Sequence, residues 1–332
     1  MPELRKDPLV GRWVIVATER ARRPGNFIDP YRGTSRYTEG TFLQKSESLE
    51  EIFSMHGRVR VVKAAQPLMG NISLQNSGKG LYDVLSGYGA HEIIIETPDK
   101  TANMADLSVE QIELVIKTYV ERFKALEQDA HISHVFVYKS YDGKKLANHT
   151  FSYSQILGTP VIPLNMRQQF TGAKKYYDFH ERCLFMDLLK QESANKVRVV
   201  KETEHFVALT PFAARFPFEI NIIPRRQNAF FHKGVVGVER DLAFMLKDIL
   251  KRLKNGLDDP AYTLAINTGP FHTENEKGPK WRSLKEDYCW QIEVIPCLTH
   301  VAGFEKGTDF YICAIPPEVS AEYLREVNTS DE

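Results

Sequence analysis

Cysteine is scarce in this chain. Cys183, Cys289, Cys297 and Cys313 are all that 332 residues carry, and no two of them form a C-x-x-C pair. That excludes a disulfide framework and leaves reduced core or surface thiols, as expected of a cytoplasmic protein. Long apolar runs are missing as well, and the opening Met-Pro-Glu-Leu-Arg-Lys lacks the apolar segment of a signal peptide, so no membrane association is expected. Nor does one sign of charge prevail. Lys+Arg and Asp+Glu are each 43, which gives no overall field to hold a nucleic acid or an anionic membrane. A small anionic ligand needs only a local cluster of cations and is not excluded. What the chain does have is 42% hydrophobic and 26% charged residues, the balance of a globular protein. Its length suffices for two cored domains or one large one.

The sequence reads as though written twice. Val59-Arg60-Val61-Val62-Lys63 returns as Val197-Arg198-Val199-Val200-Lys201. After the first copy come the β-rich run Glu92–Pro98 and then a helix with Ser108 as N-cap and Leu107, Ile112, Val115, Ile116, Tyr119 and Phe123 near helical spacing. The strand His134–Tyr138 and a strand carrying Gln155-Ile156 follow. After the second copy come Glu219–Pro224, a helix with Leu242, Met245, Leu246, Ile249, Leu250 and Leu253, the strand Tyr262–Ile266 and the strand Trp290–Val294. Four elements in the same order predict an internal duplication. Each half reads as an antiparallel sheet with one long helix packed on it, an α+β fold. The division is placed at 1–170 and 171–332. With no low-complexity linker near 164–182, the halves are expected to share an extensive interface.

Residues 149–163, His-Thr-Phe-Ser-Tyr-Ser-Gln-Ile-Leu-Gly-Thr-Pro-Val-Ile-Pro, carry most of the functional information. Ser154-Gln155-Ile156 followed by Pro160-Val161-Ile162-Pro163 resembles the active-site strand of the galactose-1-phosphate uridylyltransferase family, part of the histidine-triad superfamily. The resemblance continues in family order through Arg5–Val16, Glu19-Arg20-Ala21-Arg22-Arg23-Pro24, His91–Pro98, Pro211–Glu219 and Ala302–Thr308. It implies two tandem histidine-triad-like halves, a small phosphoester ligand (a nucleotide, nucleotide sugar or sugar phosphate), and a homodimer as the assembly to look for. Relatives carry His-x-His-x-Gln in this strand, and their second histidine attacks the α-phosphorus of the nucleotide sugar. The two histidine positions are Phe151 and Tyr153 here.

The resemblance also implies which ligand sets are gone. Where relatives place a Cys-x-x-Cys for structural zinc, this chain has Phe42-Leu43-Gln44-Lys45. One zinc histidine is Phe151, and His91 is what remains of the set; a single histidine does not hold tetrahedral zinc. A second metal in some relatives uses a glutamate and three histidines, positions that read Glu192, Asn267, Cys289 and Gln291 here. Neutral amides make that a poor set for a first-row metal. No metal and no cofactor is expected. Two asparagines that contact nucleotide in relatives read Ala64 and Ser140.

Six residues are left as site candidates. On an extended strand His149, Phe151, Tyr153 and Gln155 share one face. Tyr153 and Gln155 are the catalytic candidates. A phenol that ionises near pH ~10 is a weak nucleophile unless cations or a base assist it, so Tyr153 either reacts or fills space and stacks on a ligand. His149, about 13 Å along the strand, does not reach its place. Gln155 suits a hydrogen bond to a phosphoryl oxygen. Arg20 and Arg23 suit a bidentate grip on phosphate, against the alternative of a solvated basic turn. Glu305 and Gln291 are the sugar or substrate candidates, with an exposed loop carboxylate as the plainer reading of Glu305. Arg225-Arg226 reads as a solvated strand end. Three function classes follow: group transfer at a phosphoester without the histidine, with Tyr153 in its place; a phosphoester-binding protein without turnover; and a lyase or hydrolase acting on a phosphorylated metabolite.

Overall fold

The computed structural model describes residues 3–16, 50–65, 67–78, 80–99, 103–143, 151–272 and 281–329. Arg20, Arg23, the Phe42–Lys45 stretch and His149 lie outside them.

Thirteen strands are present among the described residues. A hairpin of β1 (Glu3–Lys6) and β2 (Trp13–Val16) forms a small sheet with β13 (Tyr311–Cys313). The opening stretch expected as one strand is therefore two, turned at Asp7, whose carboxylate accepts the amides of Leu9 and Val10 at 2.8 and 2.9 Å. The other ten strands form one sheet. Five come from the first half: β3 (Glu51–Met55), β4 (Val59–Lys63), β5 (Ala90–Ile95), β6 (His134–Tyr141) and β7 (Tyr153–Thr159). Five come from the second: β8 (Val199–Glu202), β9 (Phe206–Leu209), β10 (Ile220–Pro224), β11 (Tyr262–Asn267) and β12 (Gln291–Pro296).

The order is β3-β4-β5-β7-β6-β11-β12-β10-β9-β8, which is the same on reading from either edge with the halves exchanged. The two sets of five meet at the antiparallel pair β6–β11, with Tyr141 opposite Tyr262 and Val137 opposite Ile266. A shared sheet is the extensive contact expected between the halves. The repeated Val-Arg-Val-Val-Lys is less informative than it looks. Its first copy is β4, second from one edge, whereas its second copy runs into β8, the opposite edge strand. The strand matching β4 by position is β9. Alternating Val and basic residues suit any half-buried strand, which explains the coincidence.

Helix α1 (Val109–Glu127) begins where Ser108 accepts the amide of Gln111 at 3.1 Å, a side-chain cap for one of the orphan N–H groups of the first turn. Its buried stripe includes Ile112, Val115, Ile116, Tyr119, Val120 and Phe123. Next come α2 (Leu164–His180), which runs across position 170, and α3 (Leu184–Asn195). Helix α4 (Glu239–Gly256) starts with Glu239 and Asp241, acids that favour a helix N-terminus, and buries Leu242, Met245, Leu246, Ile249, Leu250 and Leu253. The short α5 (Gly303–Thr308) and α6 (Pro317–Glu326) follow. Helices α1 and α4 pack side by side on one face of the large sheet and form the main core. On the other face, α2 and α3 cover the second half through Met166, Phe170, Phe185 and Leu189. Among the described residues the first half carries a small cluster there, Val62, Ala64, Ile93 and Ile95 with Phe151 and Tyr153. Among the described residues no helix is long and apolar enough to cross a membrane.

Candidate functional site

The pleat of β7 sorts its side chains into two environments. Ser152 and Ser154 face the α1 side. The hydroxyl of Ser154 is 2.8 Å from that of Tyr119, and Ser152 bonds Glu96 and Lys139. Lys139 Nζ donates to Glu96 Oε2 at 2.8 Å and to the main-chain carbonyl of Tyr153 at 2.9 Å. A buried ion pair therefore grips the strand from behind at Tyr153.

Tyr153 and Gln155 lie on the opposite face. Gln155 is buried, and its Oε1 accepts from Tyr138 Oη at 3.0 Å and pairs with His91 Nε2 at 2.8 Å. The other imidazole nitrogen, Nδ1, accepts the amide of Leu68 at 3.1 Å. An amide N–H at Nδ1 and a carbonyl oxygen at Nε2 fix the neutral tautomer with its proton on Nε2. Both nitrogens of His91 are thereby engaged, which leaves it unsuited to the residual zinc-ligand role. With its carbonyl oxygen held twice, Gln155 has its NH2 end to offer a ligand. The ring of Tyr153 packs with Phe151 on Val62, Ala64, Ile93 and Ile95.

The second half repeats this frame with other residues. In β12 Gln291 stands opposite Asn267 of β11, as Gln155 of β7 stands opposite Tyr138 of β6. Asn221 of β10 takes the place of His91 of β5 and donates from Nδ2 to Gln291 Oε1 at 3.3 Å. Gln291 also reaches Gln169 Oε1 at 3.4 Å from α2. Next to it lies a cavity of about 110 Å3 lined by Glu192, Asn221, Gln291, Glu293, Arg215 and others. Arg215 donates to Glu219 at 2.9 Å and to Glu293 at 3.2 Å. Burial pushes the Glu293 carboxyl above the usual range against the pull of Arg215. Burial also raises the Cys289 thiol, which is fully buried.

Glu305 sits in α5 with both oxygens occupied locally. Oε2 accepts the amide of Ala302 at 2.7 Å and Oε1 that of Ile312 at 3.0 Å. No described contact brings it to Gln155 or Gln291. Arg225 pairs with Glu202 at 2.9 Å at an exposed strand end, as read. The reading of single strands missed His91, Tyr138, Lys139 and Glu96 as partners of the site strand. Only the register of β5, β6 and β7 makes them neighbours, although Tyr138 alone was within reach, since β6 was legible as a strand.

Comparison with known proteins agrees with this architecture. Residues 62–163 match the model of the galactose-1-phosphate uridyl transferase N-terminal domain, and residues 169–286 that of its C-terminal domain. The ADP-glucose phosphorylase of Arabidopsis thaliana is 30% identical over 98% of this chain and 93% of its own length. The galactose-1-phosphate uridylyltransferase of Thermotoga maritima is 25% identical over 98% of each. A crystal structure of the Arabidopsis thaliana ADP-glucose phosphorylase with bound ADP-glucose superposes with a TM-score of 0.79 and 28% identity, covering 99% of this chain and all of that one (100%). On this evidence, carried by the whole length of the chain, it belongs to the galactose-1-phosphate uridylyltransferase family.

Proposed function

We propose that this chain binds a phosphoester of the nucleotide-sugar class on the face of β7 that carries Tyr153 and Gln155 and moves a nucleotidyl or phosphoryl group without a histidine intermediate. The observation that carries this reading is the clamp on Gln155: with Oε1 held by His91 and Tyr138, the amide presents two N–H donors to a phosphoryl oxygen. Such fixed donors stabilise charge that develops on phosphorus-bound oxygen. The related ADP-glucose phosphorylase supports the ligand class, since its crystal structure holds ADP-glucose. Arg20 and Arg23 are the sequence candidates for the phosphate-neutralising cations. Tyr153 stands next to Gln155 on the same face, where the transferred group would pass.

A second reading, binding without turnover, is favoured by one observation. The Tyr153 ring packs on four aliphatic side chains, and both nitrogens of His91 are engaged, so His91 is no base for the phenol. Calorimetry with ADP-glucose and UDP-glucose tests the shared premise. Saturable binding that Gln155→Ala weakens by more than tenfold supports it, and an assay with inorganic phosphate as acceptor then separates turnover from binding. Absence of binding by either nucleotide sugar, or an unchanged Gln155→Ala, sinks the proposal.

A further inference from the structure

The cavity beside Gln291 has four carboxylates in its wall. We propose that it binds a small organic ammonium ion, held by Glu192 and Asn221. Two acceptors in its wall have no donor among the described residues: Oε2 of Glu192, a residue 4% exposed, and Asn221 Oδ1. Glu192 Oε1, by contrast, is held by Arg198. A buried acceptor without a donor costs about 1–3 kcal/mol, and more when charged, so what the wall lacks is a ligand bearing N–H groups.

Charge selects a cation over a neutral donor. Asp7, Glu192, Glu219 and Glu293 line the space against Arg12 and Arg215, and two of those carboxylates share the single guanidinium of Arg215. The same excess of carboxylate excludes a phosphoester, so the duplicated frame does not make a second copy of the first-half site. Size limits the ligand, or its head group, to a few heavy atoms, given about 110 Å3.

The chemistry of the wall disfavours a metal ion. Of Glu192, Asn267, Cys289 and Gln291, only Glu192 and Gln291 line the cavity. Among the described residues no group of three or more His, Cys, Asp or Glu side chains is placed to hold one. Hard cations require roughly six or more oxygen ligands at short range. A primary ammonium needs only three acceptors, and the wall offers Glu192 Oε2 and Asn221 Oδ1, with Gln168, Gln169 and Gln291 also lining the space.

Titration of the full chain with methylammonium chloride, read on the side-chain amide signals of Asn221 and Gln291 by NMR, tests this. Saturable shifts that sodium chloride and magnesium chloride fail to reproduce are expected. Glu192→Gln should weaken methylammonium at least tenfold, and Asn221→Asp, which adds a charge at an unpartnered acceptor, should tighten it. If Glu192→Gln does not fold, Asn221→Asp decides alone. Shifts absent, equal shifts with the inorganic salts, or an Asn221→Asp that binds no tighter would each overturn the proposal. Neither variant touches Gln155, so nucleotide-sugar binding stays an independent measurement.

Discussion

Lys139 Nζ lies 2.8 Å from Glu96 Oε2, and the two side chains are 2% and 0% exposed. The same ammonium reaches Ser152 and the carbonyl of Tyr153, so one buried cation joins β6, the end of β5 and the start of β7. Removing one member of such a pair strands the other charge, at a cost of about 3–5 kcal/mol, while replacing both with apolar groups is often neutral. Lys139→Met should lower the unfolding free energy measured in urea by that amount, and Lys139→Met with Glu96→Leu should recover most of it. A double variant as unstable as the single one would mean that the hydrogen bonds to Ser152 and Tyr153, not the charge pair, carry the stability.

His134 at the start of β6 gives a pH signature. It is fully buried, and neither ring nitrogen has a partner among the described residues. Burial disfavours the imidazolium and pushes its pKa down to about 4, from 6.5. The folded state thus binds a proton less readily than the unfolded chain. Stability is complete above about pH 6.5, falls as pH drops towards 4 and levels off below that, by about 3 kcal/mol in all. His232 is depressed by burial in the same direction. Asp287, with its carboxyl raised to about 6, works the other way and gains stability on acidification. The contribution of His134 is therefore isolated by difference: the gap between wild type and His134→Phe should change through pH 6.5–4. A gap constant with pH would show that the ring finds a proton acceptor when charged.

Much of this architecture was legible before any coordinates. Helices α1 and α4 showed themselves by apolar spacing, because each presents one stripe to the same core and little else competes for it. The cap at Ser108 was readable for the same local reason. The strands were readable as strands, but not their neighbours. The Val-Arg-Val-Val-Lys repeat suggested equivalent strands, yet β4 and the β8 region occupy different ranks in the sheet, which only non-local pairing decides. Gln155 stands out by motif as a candidate, whereas its partner His91 is 64 residues away and meets it through register alone. Glu305 likewise accepts the amides of Ala302 and of Ile312 in β13, contacts that its place in the sequence does not announce.

The clamp on Gln155 predicts coupled behaviour. Tyr138→Phe deletes one donor to Oε1 and His91→Phe deletes the other, so either leaves the amide half-anchored and both leave it able to turn. In a double-mutant cycle on nucleotide-sugar affinity the two changes should be non-additive by about 0.5–3 kcal/mol. Full additivity would indicate that the donors do not act through the same amide. Folding of each variant is checked by its thermal midpoint, since neither side chain belongs to the α1–α4 core.

Tyr153 separates the two readings of function. If its oxygen is the nucleophile, attack on phosphorus forms an O–P bond, breaks the bond to the leaving group and releases the phenolic proton. Incubation with the donor should then leave a phosphodiester on Tyr153 that survives denaturation. Tyr153→Phe would abolish turnover and keep binding within a few-fold, because only the reacting oxygen is lost while the ring still packs on Val62, Ala64, Ile93 and Ile95. If the ring only fills space, Tyr153→Phe should be nearly silent. Tyr153→Ala should then cost about 3–5 kcal/mol at most, less for a half-buried site, because it opens a cavity in a small cluster. Intact-mass analysis after incubation with ADP-glucose or UDP-glucose, run beside the stability of both variants, distinguishes the cases. An adduct that persists in Tyr153→Phe would place the covalent chemistry elsewhere and remove Tyr153 from the mechanism.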